Sequence, residues 1–197
     1  MTKPHSPTSG PLASGSVVVL LSGGLDSAAC ASFYHSRRYE ATALFVEYGQ
    51  GALEQERRAA RRIADHYGIR LSVVQISGLG PFSDGFIPGR NALLATAALS
   101  HVHARSTLVA LGIHAGTSYA DCSQAFVDAM QRLFDIYTGG RVRMACPFLE
   151  WTKAQLGVFC REAEVPVGMT YSCEAGGDPP CGVCLSCKDR EALRELR

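Results

Sequence analysis

The sequence predicts an α/β protein in which a parallel, doubly wound sheet is followed by a C-terminal zinc-binding segment. Short apolar runs typical of buried strands alternate with helical segments along residues 16–168. That alternation calls for a parallel sheet with helices on both faces. A Ser-Gly-Gly turn joins the first strand to the first helix, and four cysteines cluster near the C-terminus. We therefore expect a ligand site at the carboxyl ends of the strands and a metal site beyond the sheet.

The individual elements follow from hydrophobic periodicity and from the glycine and proline residues between segments. The predicted strands are residues 17–21, 41–46, 71–76, 107–113 and 142–145. The predicted helices are residues 27–37, 51–67, 91–103, about 122–137, and 152–164. The loops at 22–27, 46–50, 77–90, 112–122 and 146–153 are expected to meet in one cleft.

The helix predicted over 51–67 is strongly amphipathic. Its apolar face is formed by Leu53, Ala60, Ile63, Ala64 and Tyr67. Its opposite face carries Glu54, Glu56, Arg57, Arg58, Arg61 and Arg62. Glu54 and Arg58 are spaced for an i,i+4 pair, so we interpret the charged face as a solvated surface. Gly68 is expected to end the helix.

Composition and charge narrow the classes of function. The 197-residue chain is 47% hydrophobic, which is enough to form one buried core. Its net charge of +1 argues against a general nucleic-acid-binding surface. Residues 1–15 are interpreted as a flexible tail, 16–168 as the α/β domain, and 169–197 as the cysteine segment with a C-terminal helix. The apolar runs are too short to span a bilayer, and no secretion signal precedes the eight cysteines. We expect a cytoplasmic protein with a small-molecule substrate, and base rates favour a homodimer.

Residues 22–27, Ser-Gly-Gly-Leu-Asp-Ser, are called the glycine loop below. A strand that delivers two glycines to a helix N-terminus presents backbone N–H groups where the helix dipole is positive, which suits phosphate. Ser22 and Ser27 can add hydroxyl donors. A carboxylate at Asp26 cannot bind bare phosphate and implies magnesium carried by a nucleotide. A Walker-type loop is excluded because no Gly-Lys-Ser/Thr follows; an ordinary strand–turn–helix corner is the alternative.

The cysteine cluster, Cys173, Cys181, Cys184 and Cys187, has the spacing C-x7-C-x2-C-x2-C. Short C-x2-C steps bring thiolates together on a tight turn, and four thiolates without histidine suit a closed tetrahedral zinc site. An iron–sulfur cluster or two disulfides are the alternatives. Cys30, Cys146 and Cys160 are interpreted as buried small hydrophobic residues.

The glycine loop resembles the pyrophosphate loop of the N-type ATP pyrophosphatases, which have an adenine nucleotide alpha hydrolase-like fold. With the cysteine cluster, the chain resembles the 7-cyano-7-deazaguanine synthase family of queuosine biosynthesis. The resemblance covers about residues 17–195 and includes four further motifs in order. These are Tyr48-Gly49-Gln50, Pro88-Gly89-Arg90-Asn91, Tyr119-Ala120-Asp121-Cys122, and Thr152-Lys153 followed by Thr170-Tyr171-Ser172-Cys173.

The resemblance implies that ATP activates 7-carboxy-7-deazaguanine by transfer of AMP, that ammonia forms the amide, and that a second activation yields the nitrile. It implies ATP, Mg²⁺ and Zn²⁺ as cofactors, with Asp26 and Lys153 as catalytic residues. The implied ATP-binding residues are Leu21, Ser22, Gly23, Gly24, Asp26, Ser27, Val46, Gln50 and Gly112. The implied substrate-binding residues are Tyr48, Arg90, Asn91, Tyr119 and Asp121. Arg90-Asn91 could instead simply begin a helix, and Asp121 could be an N-cap.

Three departures from the family pattern surround the expected substrate end. Gly51-Ala52 stands where the family usually has Arg-His, and Glu174 follows Cys173 where an aromatic residue is usual. The 114–121 loop is about two residues short and lacks an aspartate, a loss for which His114 could partly compensate.

These departures keep other functions open. A divergent relative could join an activated deazapurine carboxylate to an amine of a protein or nucleic acid, as in phage defence. A tRNA thiolase would need a reactive cysteine in the cleft, for which Cys122 is the candidate. A zinc-ribbon module that binds nucleic acid would need a basic surface and no ATP.

Overall fold

The computed structural model describes residues 15–80, 82, 87–102, 106–115 and 119–195. The strands are β1 (Ser16–Leu20), β2 (Glu40–Glu47), β3 (Arg70–Gln75), β4 (Ser106–Ala110) and β5 (Arg143–Ala145). The helices are α1 (Leu25–Ser36), α2 (Leu53–Tyr67), α3 (Arg90–Ser100), α4 (Gln124–Thr138), α5 (Lys153–Glu162) and α6 (Leu185–Glu195). The tail expected over 1–15 lies outside the described residues, apart from Gly15.

The five described strands form one parallel sheet in the order β3-β2-β1-β4-β5. The chain winds from β1 outward to β3 and then returns to the other side of β1 for β4 and β5. This order confirms the predicted doubly wound α/β class. The direction of winding reverses between β1 and β4, and ligands of such sheets bind beside the carboxyl ends of the strands at that point.

The apolar run of β1 explains why both faces of the sheet are covered. Val17 and Val19 point into a core shared with α1, α2 and α5, whereas Val18 and Leu20 point into a second core shared with α3 and α4. All four side chains are almost completely buried. A central strand of this kind has no polar face because successive residues point to opposite sides.

Two elements end several residues earlier than predicted. Strand β4 ends at Ala110 rather than at residue 113, and α3 ends at Ser100 rather than at 103. The apolar character of Leu111 and Ile113 suggested a longer strand, and both are buried. Their burial is in a loop, where the backbone of Gly112 passes against the first turn of α1.

The charged face of α2 is less solvated than predicted, and the Glu54–Arg58 pairing was wrong. Arg57 forms the ion pair with Glu54 at 3.5 Å and a second one with the buried Glu47 at 2.5 Å. Arg58 instead reaches Asp178 of the cysteine segment at 3.6 Å. Part of this face is therefore an internal contact surface. Gly68 ends the helix in the left-handed conformation, as predicted.

Glu56 is the member of this face that is most affected by burial. Its Oε2 accepts a hydrogen bond from Nε2 of Gln50 at 3.3 Å. Burial raises the pKa of the Glu56 carboxyl, and the hydrogen bond from Gln50 and the charge of Arg90 offset only part of that effect. The ionised form is thus disfavoured in the folded chain.

None of the helices in the described part of the chain combines the length and apolar character that a bilayer-spanning helix needs.

Glu56→Gln should stabilise the fold at neutral pH and have no such effect near pH 4. A carboxyl whose pKa is raised by folding favours the native state only while it is protonated in both states. Its stabilising contribution is complete below the unfolded pKa and is lost as pH rises from there through the raised folded pKa. The amide keeps the hydrogen bond from Gln50 without a charge. Thermal melts at both pH values measure this, and Tm should rise at neutral pH only, by roughly 2–4 °C per kcal/mol gained.

Glu54→Gln is the matched control, because Glu54 lies on the same helix with its side chain 66% exposed. It should change Tm little at either pH. An equal shift for both variants, or a Glu56→Gln shift that is independent of pH, would contradict the assignment of a destabilising buried carboxyl to Glu56.

Candidate active site

The glycine loop connects β1 to α1 at the winding reversal. Leu21 is buried and donates its backbone N–H to the carbonyl of Leu44 at 2.9 Å, which keeps the chain in line with the sheet. Gly24 is the N-cap of α1, and no side chain that the structure describes caps this helix. The Ser27 hydroxyl donates to the Gly24 carbonyl at 2.9 Å, and the Ser22 hydroxyl lies 3.2 Å from that of Ser27. The loop therefore presents two hydroxyls beside a helix N-terminus, as an anion site requires.

Two glycines are required by close backbone packing around this loop. Gly23 has φ +87°, and a Cβ there would lie 2.5 Å from the carbonyl oxygen of Glu56 in α2. A Cβ on Gly112 would lie 2.5 Å from the carbonyl oxygen of Asp26. The glycine loop is thus held between α2 and the loop after β4.

Asp26, Lys153 and His114 come together from three distant parts of the chain. Nζ of Lys153 lies 2.7 Å from one carboxylate oxygen of Asp26, and Nε2 of His114 lies 3.4 Å from the other. Nζ of Lys153 is also 3.5 Å from Nε2 of His114. Lys153 is the first residue of α5, whose start is fixed by a capping box between Thr152 and Gln155.

This group keeps Asp26 ionised. Burial by itself raises the pKa of the Asp26 carboxyl, but the hydrogen bond from His114 and the charge and hydrogen bond of Lys153 together lower it. The side chain is 33% exposed, so the carboxylate also faces the cleft. An ionised carboxylate beside a phosphate-type loop is suited to hold a hard divalent cation.

A polar cleft of about 240 Å³ lies over the glycine loop. Its wall includes residues from the loop, from α2, α3 and α5, and from the cysteine segment. The lining residues are Ser22, Gly24, Leu25, Asp26, Ser27, Glu56, Arg90, Lys153, Tyr171, Ser172, Ser186, Asp189 and Arg190. Five of the predicted ATP-binding and catalytic residues therefore share one cleft with Arg90, the predicted ligand of an anionic group.

Two other predicted residues, Gln50 and Tyr48, do not line the cleft but position groups near it. Gln50 is buried, and its side chain accepts a hydrogen bond from the Tyr48 backbone N–H at 2.8 Å and donates one to the Val46 carbonyl at 3.0 Å. Tyr48 is also buried, and its hydroxyl hydrogen-bonds to Arg90. Gln50 thus shapes the turn after β2, while Tyr48 orients the Arg90 guanidinium.

The three remaining predicted substrate residues lie near one another beside the cleft. Asn91 is buried in the first turn of α3, and its Nδ2 donates to the backbone carbonyl of Asp121 at 3.2 Å. Asp121 is not the N-cap of α4, because Ser123 holds that position and accepts from the Phe126 N–H. Tyr119 is 40% exposed. The departure at residues 116–118 falls outside the described residues.

The cysteine cluster is assembled in space as the spacing predicted. The four sulfur atoms of Cys173, Cys181, Cys184 and Cys187 all lie within 4.8 Å of one another. Backbone N–H groups point at the sulfurs, with Cys181 N 3.3 Å from Sγ of Cys173 and Cys184 N 3.4 Å from Sγ of Cys181. This set of four soft donors could hold a metal ion.

Thiol ionisation differs across the cluster. Burial opposes ionisation of Cys173, but hydrogen bonds from Cys181 outweigh burial and lower its pKa to about 6. Burial raises the pKa of Cys187 to about 12. Backbone N–H donors also lower the pKa of Cys181. A cluster in which N–H donors favour thiolates suits metal binding more than it suits four neutral thiols.

The other cysteines largely match their interpretation as small hydrophobic residues. Cys30 and Cys160 are buried, and Cys146 is half-buried against the second core. Burial raises the pKa of Cys146 and Cys160 to about 12. Cys122 is half-buried and lies 4.0 Å from the Asn91 amide, outside the cleft lining.

The cysteine segment packs directly on the glycine loop and on residues 51 and 52. The Tyr171 N–H donates to the Gly23 carbonyl at 2.9 Å. A Cβ on Gly176 would lie 2.6 Å from the carbonyl oxygen of Gly51, and Ala52 is buried against Tyr171 and two of the cysteines. Gly51 and Ala52 thus lie directly against the cysteine segment.

Sequence reasoning gave no site role to seven residues of the cleft lining. Glu56 was assigned to a solvated face, and no role was given to Leu25, Tyr171, Ser172, Ser186, Asp189 or Arg190. The last three lie around Cys187, the final cysteine, at positions that share one face of a helix, a spacing that could have indicated a common surface. His114 was expected only as a partial substitute, yet it contacts both catalytic candidates.

Comparisons with known proteins agree with this geometry. The sequence model described as "Queuosine biosynthesis protein QueC" matches residues 16–85 and 80–196. A 7-cyano-7-deazaguanine synthase from Synechococcus sp. (strain RCC307) is 32% identical, and the alignment covers 92% of this chain and 96% of that protein.

Two solved structures share the fold at low identity. The U34-tRNA thiolase NcsA from Methanococcus maripaludis, solved with its [4Fe-4S] cluster, has a TM-score of 0.52 at 14% identity, covering 94% of this chain and 66% of that one. NMN synthetase from Francisella tularensis has a TM-score of 0.50 at 18% identity, covering 93% and 78%. The resemblance found in the motifs is thereby confirmed over nearly the whole chain, and the protein belongs to the QueC family of queuosine biosynthesis.

Proposed function

We propose that this protein uses ATP and ammonia to convert 7-carboxy-7-deazaguanine into 7-cyano-7-deazaguanine. The proposal is carried by one observation, the Asp26–Lys153 pair in a cleft over the glycine loop. That arrangement supplies sites for the magnesium and the phosphates of ATP. The name of the 32% identical relative supports the choice of substrate and product.

The first stage activates the acid. The substrate carboxylate attacks the α-phosphorus of ATP, the bond to the β-phosphate oxygen breaks, and magnesium pyrophosphate leaves. Activation is needed because a bare carboxylate would have to expel oxide. Ammonia then attacks the acyl carbon of the adenylate, loses a proton and expels AMP, which leaves the amide.

The second stage removes water from the amide by the same chemistry. The amide oxygen attacks the α-phosphorus of a second ATP and releases pyrophosphate. Loss of the nitrogen-bound protons and departure of AMP with the former amide oxygen then gives the nitrile. One site that positions and neutralises phosphates serves both stages, since the attack in each is by an oxygen on the same carbon.

The residues of the cleft take distinct roles in this proposal. The backbone and the hydroxyls of the glycine loop hold the pyrophosphate end of ATP. Asp26 holds Mg²⁺, which withdraws charge from the phosphates, and Lys153 faces the bond that breaks. His114 keeps both side chains in place. Arg90, oriented by Tyr48, pairs with an anionic group of the ligand.

The pair formed by the buried Asn91 and the half-buried Asp121 suits the amide-like edge of the deazapurine. The Asn91 amide fixes the backbone of Asp121 at 3.2 Å, which leaves the Asp121 carboxylate to accept N–H groups. Tyr119, which is 40% exposed nearby, offers a ring face for the base.

Zn²⁺ is the metal that we assign to the cysteine cluster. Four thiolates without an open position fit a closed tetrahedral site, whose contribution is structural. The Tyr171–Gly23 hydrogen bond transmits that contribution to the glycine loop. Residues 169–197 are then a metal-stabilised segment of the 16–168 domain. A cytoplasmic location and a homodimer fit such an enzyme and stay predictions.

The direct test incubates the protein with MgATP, ammonia and 7-carboxy-7-deazaguanine and follows AMP, pyrophosphate and the product mass. The proposal predicts the nitrile with two AMP per product. The amide alone would overturn the dehydration step. A covalent mass increase on an added protein or nucleic acid, without nitrile, would support the conjugation alternative instead.

Asp26→Asn should abolish release of pyrophosphate while the fold persists. The amide cannot supply the charged oxygen donor that magnesium prefers, and loss of one electrostatic contact at a phosphoryl centre costs on the order of 100-fold in rate or more. Pyrophosphate release and far-UV circular dichroism are the measurements. Asp65→Asn, at an exposed site in α2, is the control and should retain activity. Normal pyrophosphate release by Asp26→Asn would remove Asp26 from the mechanism.

Cys184→Ser should lower the zinc content and the thermal stability together, because a structural zinc site contributes its binding free energy to folding. Metal analysis and thermal melts measure both effects. Cys122→Ser is the control, since Cys122 is half-buried and outside the cluster. Zinc content equal to that of the unsubstituted protein would exclude Cys184 as a ligand, and iron with visible absorption would indicate the iron–sulfur alternative.

A further inference from the structure

Helix α6 contributes a wall of the cleft that the family comparison does not explain. The helix begins at Leu185, one residue after Cys184, and contains Cys187. Ser186, Asp189 and Arg190 line the same cleft as the glycine loop. Their spacing of three and four residues places them on one face of the helix. Lys188, between them in sequence, is exposed and does not line the cleft.

This wall is held in place by contacts on both sides. Cys187 is buried in a cluster with Ala52, Ala59 and Tyr171, which fixes α6 against α2. The Ser186 hydroxyl donates to Oε1 of Glu174 at 2.7 Å, so the first turn of the helix is tied to the preceding loop. The position of Arg190 relative to the glycine loop is therefore determined by packing and not by a free helix end.

The phosphates of a nucleotide need cations in the cleft that the carboxylates there do not already neutralise. Besides Arg190, the lining contains the cations Arg90 and Lys153 and the acidic residues Asp26, Glu56 and Asp189, of which Glu56 is less readily ionised because it is buried. Lys153 is already neutralised by Asp26 at 2.7 Å. Magnesium triphosphate keeps a net negative charge, and a guanidinium matches phosphate oxygens with two parallel N–H donors.

We infer that Arg190 binds the β- and γ-phosphates of MgATP from the wall of the cleft that α6 forms. The cysteine segment meets the glycine loop through the Tyr171–Gly23 hydrogen bond at 2.9 Å, so this wall adjoins the phosphate end of the cleft. Arg90 adjoins Tyr48 at the end of β2 and remains for the other ligand. This inference rests on the proposed use of ATP. It gives the cysteine segment a direct part in nucleotide binding.

The test measures equilibrium binding of a non-hydrolysable MgATP analogue, AMP and 7-carboxy-7-deazaguanine by calorimetry. Arg190→Gln should weaken binding of the ATP analogue roughly 10- to 100-fold, because a charge-assisted pair of hydrogen bonds is lost. Binding of AMP, which lacks the two outer phosphates, should not change. Arg190→Lys should recover part of the affinity, since it keeps the charge without the planar fork.

Lys188→Gln is the matched control, with the same charge removed from the exposed side of the same helix. It should leave all three affinities unchanged. The metal content and Tm of each variant show whether the cysteine segment is intact. If Arg190→Gln lowers Tm, the affinities of Arg190→Lys are compared with those of the unsubstituted protein instead. The inference would be overturned if Arg190→Gln left the affinity for the ATP analogue unchanged, or if it lowered the affinity for AMP by the same factor. A loss of affinity for 7-carboxy-7-deazaguanine alone would overturn it as well. Failure of the unsubstituted protein to bind the analogue would instead contradict the proposed function.

Discussion

The glycine loop is held by backbone contacts that leave no space for a side chain, and the geometry of the cleft depends on them. A Cβ at Gly23 would meet the Glu56 carbonyl oxygen, and a Cβ at Gly112 would meet that of Asp26, each at 2.5 Å. These contacts fix the first turn of α1 between α2 and the loop after β4. Asp26 is thereby placed where Lys153 and His114 reach it. Because protein interiors are densely packed, these contacts restrict the position of the loop more than contact with solvent would.

The cysteine segment extends this constraint from the sheet to the C-terminus. Tyr171 hydrogen-bonds to Gly23, and Gly176 lies against Gly51. The cysteine segment and the cleft over the glycine loop are thus one packed structure. If the cysteine segment unfolded, the cleft would lose one of its walls. A structural metal can in this way affect ligand binding without touching the reacting atoms.

The sequence predicts the sheet, the glycine loop and the cysteine cluster because each depends on local chemistry. Alternation of apolar runs specifies buried parallel strands, and short cysteine spacing brings sulfurs together whatever the rest of the chain does. The contacts of His114 and Arg190 with the cleft could not be read in this way, since they depend on how distant elements pack. Glu56 shows the same limit. Its place on the charged face of α2 indicated solvent, but the glycine loop packs against the part of the helix where Glu56 lies.

The central claim is that an oxygen of the substrate carboxylate becomes bonded to the α-phosphorus of ATP. Mass spectrometry of AMP formed from 7-carboxy-7-deazaguanine labelled with ¹⁸O in both carboxylate oxygens tests it most directly. Transfer of AMP to the acid predicts one ¹⁸O atom in the AMP of the first stage, and the amide oxygen carries the second into the AMP of the next. Unlabelled AMP, or label in inorganic phosphate, would contradict the account.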